Sequence, residues 1–270
     1  MPHRLGPGLL AGLLVTGVAF AQELPLFDAH LHYSDTAQQA HTADEALALM
    51  DRAGVRRALL SSTPNEGTVT LFEKAPGRIV PFLRPYRTRD DIATWTQDAA
   101  IVRYVEQELG RGIYRGIGEF HLRAGEAASP VVRQIVTLAE RKNLILHAHA
   151  DAQAVEELLR LAARVRILWA HAGLSAGPKA VRGLLESFPA LFVGLALRSD
   201  IAPGGQLDPE WQALFLRHPD RFLVGTDTWI PGRWERLPEI LDDVRGWLRA
   251  LPRGVSERMA FGNAERLIQP

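Results

Sequence analysis

The stretch Leu26–His32, with the sequence LFDAHLH, decides how the rest of the chain is interpreted. Its apolar residues predict a buried strand, and side chains in a strand alternate between two faces with a period of two. His30 and His32 therefore lie on the same face. Imidazole is a ligand for zinc, iron, nickel and copper, so two imidazoles on one face form half of a candidate metal site.

Seven further β-rich runs alternate with amphipathic helical stretches along the chain. The predicted strands are Leu26–His30, Arg57–Ser62, Ile79–Leu83, Tyr114–Phe120, Leu144–His149, Arg166–His171, Leu191–Leu197 and Phe222–Thr226. The predicted helices are Thr42–Ala53, Asp91–Leu109, Ser129–Lys142, Ala152–Ala163, Pro178–Phe188, Pro209–Arg217 and Leu237–Leu251. In the first helix, Thr42 and Glu45 have the spacing of a capping box. Strands that alternate with helices pair in parallel, because each helix carries the chain back across the sheet.

The polar residues at the strand ends recur at intervals of 21 to 35 residues, the length of one βα unit. They are His32, Thr63, Arg84, Glu119, His149, His171, Arg198 and Asp227. A closed (β/α)₈ TIM barrel places all eight ends around one mouth, where the active sites of barrel enzymes lie. An open doubly wound sheet is the alternative, but it normally has a glycine-rich turn after its first strand. No such turn follows His32.

The first 21 residues are predicted to be a secretory signal peptide. Arg4 precedes an apolar stretch, and Ala19-Phe20-Ala21 fits the small-x-small cleavage pattern before Gln22. We therefore expect the protein to be exported to the periplasm, with no stable membrane insertion after cleavage. The remaining residues, 22–270, are about the length of one TIM barrel of roughly 250 residues.

The composition limits which residues can bind a metal ion and which classes of partner are expected. The chain has no Cys, so a metal ion must be held by His, Asp, Glu or water. Lys plus Arg and Asp plus Glu are both 31, so the charge balance gives no indication of a nucleic-acid partner. A small-molecule substrate is the expected partner, and no sequence feature predicts the oligomeric state.

An internal similarity helps to choose a ligand on the fifth strand. Leu146–Ala150 (LHAHA) parallels Leu168–Ala172 (LWAHA), so His149 and His171 occupy equivalent levels and His147 lies one step deeper. We prefer His149 as the ligand and interpret His147 as a core histidine, with His147 kept as the alternative. Strict alternation along Gly116–His121 places Glu119 on one face with Ile117 and points it into the mouth. His121 is expected in a surface loop.

The ordered set of residues resembles the amidohydrolase superfamily of metal-dependent hydrolases. The matching residues are His30 and His32 on the first strand, Glu119 on the fourth, His149 and His171 on the fifth and sixth, and Asp227 on the eighth. Phe261–Ala264 (FGNA) is similar to the closing segment of the amidohydrolase-2 branch. The resemblance covers about Leu26 to Leu267.

The resemblance implies a TIM barrel that binds one or two divalent ions, Zn²⁺ before Mn, Fe, Co or Ni. It implies that His30, His32, His149 and Asp227 hold the first ion, and that His171 binds a second ion or orients water and substrate. Glu119 stands where some binuclear members have a carbamylated lysine, an arrangement similar to TatD-type deoxyribonucleases. The metal count therefore depends on Glu119.

The function implied is hydrolysis of an ester, lactone, amide or related bond. A bound Zn²⁺ ion lowers the pKa of its water to near 7, and Asp227 is the expected general base. Arg84 and Arg198 are candidates for binding an anionic part of the substrate. The alternatives are a metal-dependent decarboxylase of the same superfamily and a non-catalytic periplasmic binding protein.

Overall fold

The computed structural model describes residues 24–269, and its centre is an eight-stranded parallel sheet with the strands in sequence order. The strands are β1 (Leu26–Leu31), β2 (Val55–Leu60), β3 (Ile79–Leu83), β4 (Gly116–Leu122), β5 (Ile145–Ala150), β6 (Ile167–Trp169), β7 (Leu191–Gly194) and β8 (Phe222–Leu223). The chain after β8 closes the ring, because Ala29 N–H donates to Val224 and His32 N–H donates to Thr228. The predicted (β/α)₈ TIM barrel is confirmed.

Twelve α-helices surround this barrel within residues 24–269. They are α1 (Asp35–Ala40), α2 (Ala43–Arg52), α3 (Glu66–Lys74), α4 (Ala100–Leu109), α5 (Pro130–Lys142), α6 (Ala152–Leu161), α7 (Pro178–Ser187), α8 (Pro209–Arg217), α9 (Pro231–Glu235), α10 (Leu237–Leu248), α11 (Arg253–Glu257) and α12 (Asn263–Ile268). None of the helices in this range is long and apolar enough to cross a bilayer. The predicted signal peptide, residues 1–21, lies outside the described residues.

The apolar residues form two clusters that the barrel wall separates. The outer cluster fills the space between the strands and the surrounding helices. The inner cluster fills the barrel lumen with side chains such as Phe27, Phe82 and Leu168, and Ala264 and Leu267 of α12 close its lower end. The lumen is packed below the mouth, so the polar side chains at the carboxyl ends of the strands gather above this packing, as barrel architecture predicts.

Two irregularities decide which side chains reach the mouth. The β1–β2 register shifts between Asp28 and Leu31, so Ala29 joins the lumen cluster while Leu31 joins the outer one. The β4–β5 register shifts between Gly118 and Phe120. A Cβ on Gly118 would lie 2.2 Å from the carbonyl oxygen of His147, so only glycine fits there. Bulges of this kind re-aim side chains beside active sites.

The register shift between Gly118 and Phe120 interrupts the alternation that was expected along β4. Ile117 and Phe120 both belong to the outer cluster, whereas Glu119 faces the mouth. Strict period two, which grouped Glu119 with Ile117, is therefore wrong, although the predicted direction of Glu119 is right. His121 is part of β4 itself rather than of a surface loop.

The predicted helix Asp91–Leu109 is also wrong in its first half. That stretch contains two 3₁₀ turns, Arg89–Ala93 and Trp95–Gln97, before α4 begins. The carboxylate of Asp91 accepts hydrogen bonds from the Arg87 and Thr88 N–H groups, which holds a tight turn. The Asp98 carboxylate then accepts from Ala100 N–H at the start of α4. Such local side-chain bonds to the backbone compete with a continuous helix.

Candidate metal centre

Four donor side chains converge at the barrel mouth, from β1, the residue that follows it, β4 and the segment after β8. His30 Nε2 lies 3.0 Å from His32 Nε2. The carboxylate of Glu119 lies 3.5 Å from His30 Nε2 and 3.3 Å from His32 Nε2. Asp227 Oδ1 lies 3.4 Å from His30 Nε2 and 3.2 Å from His32 Nε2. All four side chains are buried, and their donor atoms lie within 4.8 Å of one another.

These separations fit a single metal ion. Two ligand atoms that each lie 2.0–2.1 Å from zinc at a tetrahedral angle are about 3.3 Å apart. The observed distances of 3.0 to 3.5 Å scatter around that value. Two imidazoles and two carboxylates are also a donor set that zinc and other divalent transition metals accept. The residues therefore fit a divalent ion on both spacing and chemistry.

Backbone carbonyl groups fix the orientation of two of the imidazoles. Nδ1 of His32 lies 2.6 Å from the Ser61 carbonyl oxygen, and Nδ1 of His171 lies 2.9 Å from the Ala196 carbonyl oxygen. A carbonyl can only accept, so each Nδ1 carries a proton and each Nε2 is the nitrogen turned toward the metal centre. Ring orientation of this type is the usual support for a metal-binding histidine.

Glu119 stands between two groups of histidines. His30 and His32 lie on one side of its carboxylate. On the other side, His149 Nδ1 lies 3.0 Å and His171 Nε2 lies 3.5 Å from Oε1 of Glu119. His171 Nε2 is buried and has no hydrogen-bond partner among the described residues. The carboxylate thus has the position required to bridge two ions, so the metal count expected from the sequence stays at one or two.

The histidines hold the two carboxylates in their ionised form. Burial opposes ionisation of Glu119, but the surrounding imidazoles, His30 first, outweigh it and hold the pKa of Glu119 well below its usual value. Burial likewise opposes ionisation of Asp227, but His30 and His32 hold its pKa below the usual value. Two ionised carboxylates in a buried site suit a divalent cation, because a buried charge needs a partner.

Asp28 is a buried carboxylate that the sequence reasoning did not single out. Its Oδ1 accepts hydrogen bonds from the N–H groups of His30 and Thr226, and its Oδ2 accepts from the Thr226 hydroxyl at 2.6 Å. Burial raises the pKa of Asp28 to about 6. The side chain thereby ties the segment after β8 to β1 at the level of His30, which places Asp227 beside the first strand.

His121 is the second residue that the sequence reasoning missed. It forms with Glu119 and His149 a further group whose donor atoms lie within 4.8 Å of one another. Its ring stacks on the ring of His149 with the centroids 4.4 Å apart. Burial lowers the pKa of His121 to about 4, so the ring is neutral. The spacing Glu119-x-His121 within one strand was the signal that could have located it.

The two candidate histidines of β5 lie in different surroundings. His149 is half-buried and faces Glu119 at the mouth, which is the position expected from the sequence. His147 is fully buried, and neither of its ring nitrogens has a partner within residues 24–269. Its ring packs edge to face against that of His30, with the centroids 4.5 Å apart. His147 therefore lies below the donor group, as the preference for His149 requires.

The two candidate arginines, Arg84 and Arg198, lie in different surroundings. Arg84 lines the mouth and bonds to Glu119, with Nε donating to the carbonyl oxygen at 3.0 Å. The guanidinium of Arg198 makes five hydrogen bonds to Asp200 and to three backbone carbonyls, and it stacks on Trp211. All five donors of an arginine are then engaged. The structure does not bring Arg198 to the metal centre.

A cavity of about 200 Å³ opens above the donor group. Its walls include His32, Ser34, Thr63, Arg84, Arg89, Ile92, Glu119, His121, His149, Asp227 and Trp229. This volume is below the roughly 300–1,000 Å³ that is usual for drug-sized ligands. The space suits a small molecule that touches the metal ligands from the solvent side.

Comparison with known proteins gives no match to a sequence-family model and none to a curated protein. Solved structures do match. One is described as a probable 2-pyrone-4,6-dicarboxylic acid hydrolase from Acinetobacter baumannii, with citric acid bound. The TM-score is 0.62 at 12% identity, and the match covers 90% of this chain and 98% of that one.

A phosphotriesterase homology protein from Escherichia coli, with phosphate in its active site, matches with a TM-score of 0.62 at 14% identity over 92% and 99% of the two chains. A TatD homologue from Escherichia coli K12 matches with a TM-score of 0.61 at 14% identity over 90% and 97%. One of the matching structures is described as a putative metal-dependent hydrolase from Lactobacillus casei. At these identities the likeness establishes the fold, and it agrees with the resemblance found in the sequence.

Proposed function

We propose that this protein is an exported metal-dependent hydrolase of the amidohydrolase type that cleaves an ester, lactone, amide or related bond. The observation that carries the proposal is the group of four donor atoms, from His30, His32, Glu119 and Asp227, at the spacing of ligands on one ion. It lies at the end of a barrel where barrel enzymes have their active sites. The names of the structural neighbours support the same reaction class.

The proposed roles follow from the contacts of each side chain. A divalent ion held by this group would activate a water molecule and polarise the substrate. Asp227 is the general base: its side chain is 12% exposed against 4% for Glu119, so it can accept a proton from a group in the cavity. Its N–H donates to the carbonyl of His30 at 2.7 Å, and Arg233 bonds to its carbonyl oxygen.

His171 is proposed to hold a second ion or to orient the water and the substrate. Its Nε2 lies 3.5 Å from Glu119 and 3.8 Å from Asp227, within reach of both carboxylates. Zinc is the proposed metal, with Mn, Fe, Co and Ni as the other ions that the same donors accept.

Metal analysis of the purified protein tests the proposal, combined with a panel of ester, lactone and amide substrates. We expect one or two divalent ions per chain and hydrolysis that a chelator abolishes. The double variant His30→Ala with Asp227→Asn should lose both the ion and the activity. The matched control, His41→Ala with Asp51→Asn, alters a histidine and an aspartate outside the donor group and should retain both.

Three results would contradict the proposal in different ways. Full activity without an ion would exclude the metal-dependent mechanism. Release of CO₂ in place of a hydrolysis product would identify a decarboxylase. Tight metal binding without turnover would favour a binding protein. Export is proposed from the sequence alone, and N-terminal sequencing of the secreted form should find Gln22 as its first residue.

A further inference from the structure

The cavity above the metal centre has one wall made of hydrogen-bond donors. Arg84, from the segment after β3, Arg89, in the 3₁₀ turn that follows, and His121, on β4, all line this cavity. We refer to these three residues as the donor wall. All three lie outside the group of four donor atoms at the metal centre, and His121 belongs to the second group, with Glu119 and His149. Their contacts leave a donor on each of them available to a ligand.

Arg84 is a buried cation that is only partly neutralised. Its Nε donates to the Glu119 carbonyl oxygen, and its Nη2 lies 3.3 Å from Oε2 of Glu119. Nη1 has no partner within residues 24–269 and is not enclosed by protein. The guanidinium is held over the ring of Tyr86, with 4.9 Å between Cζ and the ring centroid. A buried and oriented guanidinium with a free edge is suited to bind an anionic oxygen pair.

Tyr86 fixes the tautomer of His121. The Tyr86 hydroxyl oxygen accepts the backbone N–H of His121 at 2.6 Å, so its own proton must be donated elsewhere. Tyr86 is fully buried, and the acceptor within reach among the described residues is His121 Nδ1 at 3.1 Å. Because Nδ1 accepts that proton, the ring proton of His121 lies on Nε2. Since Nε2 is neither bonded nor enclosed in the described part of the chain, it donates into the cavity.

Arg89 supplies a second uncompensated cation. It is exposed, lies 6.0 Å over the ring of Trp229, and has no ion-pair partner within residues 24–269. One divalent ion would balance the charges of Glu119 and Asp227. The two arginines would then leave the cavity with a positive charge, which favours anionic ligands.

From this wall we infer that the substrate is a small molecule with an anionic oxygen group, a carboxylate or a phosphate, beside the bond that is cleaved. The donor wall binds that group, and the polar bond faces the metal ligands. The inference rests on the proposed hydrolase function for its kinetic consequence only. For an ester substrate, water adds across the acyl–oxygen bond and yields an acid and an alcohol, so no other reactant is required.

Binding measured by calorimetry tests the inference without requiring turnover. Succinate and inorganic phosphate should bind to the metal-loaded protein at least about tenfold more tightly than succinamide, the neutral analogue of succinate. The stronger of the two anions identifies the anionic group. Equal binding of succinate, phosphate and succinamide would overturn the inference.

Variants of the donor wall locate the binding. Arg89→Gln and His121→Phe should each weaken binding of the preferred anion by about tenfold, because each removes one donor to a charged group. Arg52→Gln is the control, since Arg52 is an exposed arginine at the end of α2, just before β2 begins, and does not line the cavity. Equal affinity in wild type, Arg89→Gln and His121→Phe would show that the anion binds elsewhere.

The role of Tyr86 as a positioning residue can be tested by locating the ring proton of His121. In ¹⁵N NMR spectra of the wild-type protein, the proton of His121 should lie on Nε2. In Tyr86→Phe it should distribute between both nitrogens, and anion binding should weaken while the ring remains in place. A proton on Nε2 in both proteins would contradict this role.

Measurements of hydrolysis rates distinguish a failure of this inference from a failure of the proposed function. Monomethyl succinate should be hydrolysed with a kcat/KM at least about tenfold above that of dimethyl succinate. Preferential hydrolysis of dimethyl succinate would overturn the inference and leave the hydrolase function standing. Anion binding without hydrolysis of any substrate would support the anion site and contradict the hydrolase function.

Discussion

The carbonyl oxygen of Ser61 lies 2.6 Å from Nδ1 of His32, and this contact determines which nitrogen of His32 faces the metal centre. The same serine uses its hydroxyl oxygen to accept the N–H of Glu119 at 3.2 Å. One residue on the segment after β2 thus orients ligands from β1 and β4. The support for the metal centre comes from the neighbouring strand rather than from the ligand strands themselves.

Ser61→Ala should therefore weaken metal binding by about tenfold, at the lower end of the range for residues that orient metal ligands. The hydroxyl also lies 3.2 Å from His32 Nδ1, so its loss removes support from two ligands. Ser62→Ala is the matched control, because its buried hydroxyl bonds to Tyr33 N–H instead. Competition with a chelator measures both affinities. An equal loss in the two variants would refute the role of Ser61.

The two histidines of β5 should respond differently to replacement by leucine. His149→Leu should lower metal affinity or stoichiometry, because His149 faces Glu119 at 3.0 Å. His147→Leu should leave metal binding unchanged. It should raise the free energy of unfolding by about 1 kcal/mol, since it removes two buried nitrogens that have no partner within residues 24–269. Metal titration and denaturant unfolding measure the two effects, and a loss of metal in His147→Leu would reverse the assignment.

Arg198→Lys should affect stability rather than substrate binding. Lysine cannot reproduce the planar set of bonds to Asp200 and the backbone carbonyls, nor the stacking on Trp211. We expect the free energy of unfolding to fall by at least about 2 kcal/mol, with KM unchanged at temperatures where the variant is folded. Arg217→Lys, at an exposed pair with Glu186, should cost under about 1 kcal/mol. A raised KM with unchanged stability would restore Arg198 as a substrate contact.

The capping box at the start of α2 should stabilise the folded protein. The Thr42 hydroxyl accepts Glu45 N–H, and the Glu45 carboxylate accepts Thr42 N–H. Thr42→Ala should lower the free energy of unfolding by about 1 kcal/mol. The N–H of Thr42 lowers the pKa of Glu45, so its stabilisation is present at neutral pH and is lost as the pH falls below the ordinary value of 4.5. Unfolding curves of Glu45→Gln should converge with wild type in acid, and a constant difference would exclude the charge effect.

Local sequence signals were enough to predict the order of the strands and a set of candidate donor residues. Period-two alternation, helix caps and glycine stops are local signals, so they are readable without the fold. The spacing of polar strand ends predicted that His32, Glu119, His149, His171 and Asp227 lie at one mouth, with His30 on the same strand face as His32, and the structure brings these side chains together.

The direction of those side chains and the contacts that hold them depend on the folded chain. The register shifts at Asp28 and Gly118 depend on pairing with neighbouring strands, so alternation alone could not give the face of Ile117. The hydrogen bonds between Tyr86 and His121 and between Arg198 and Asp200 likewise depend on how the surrounding backbone is folded. Hydrogen-bond partners across a barrel leave no period in the sequence, because each is fixed by packing in three dimensions rather than by spacing along one strand.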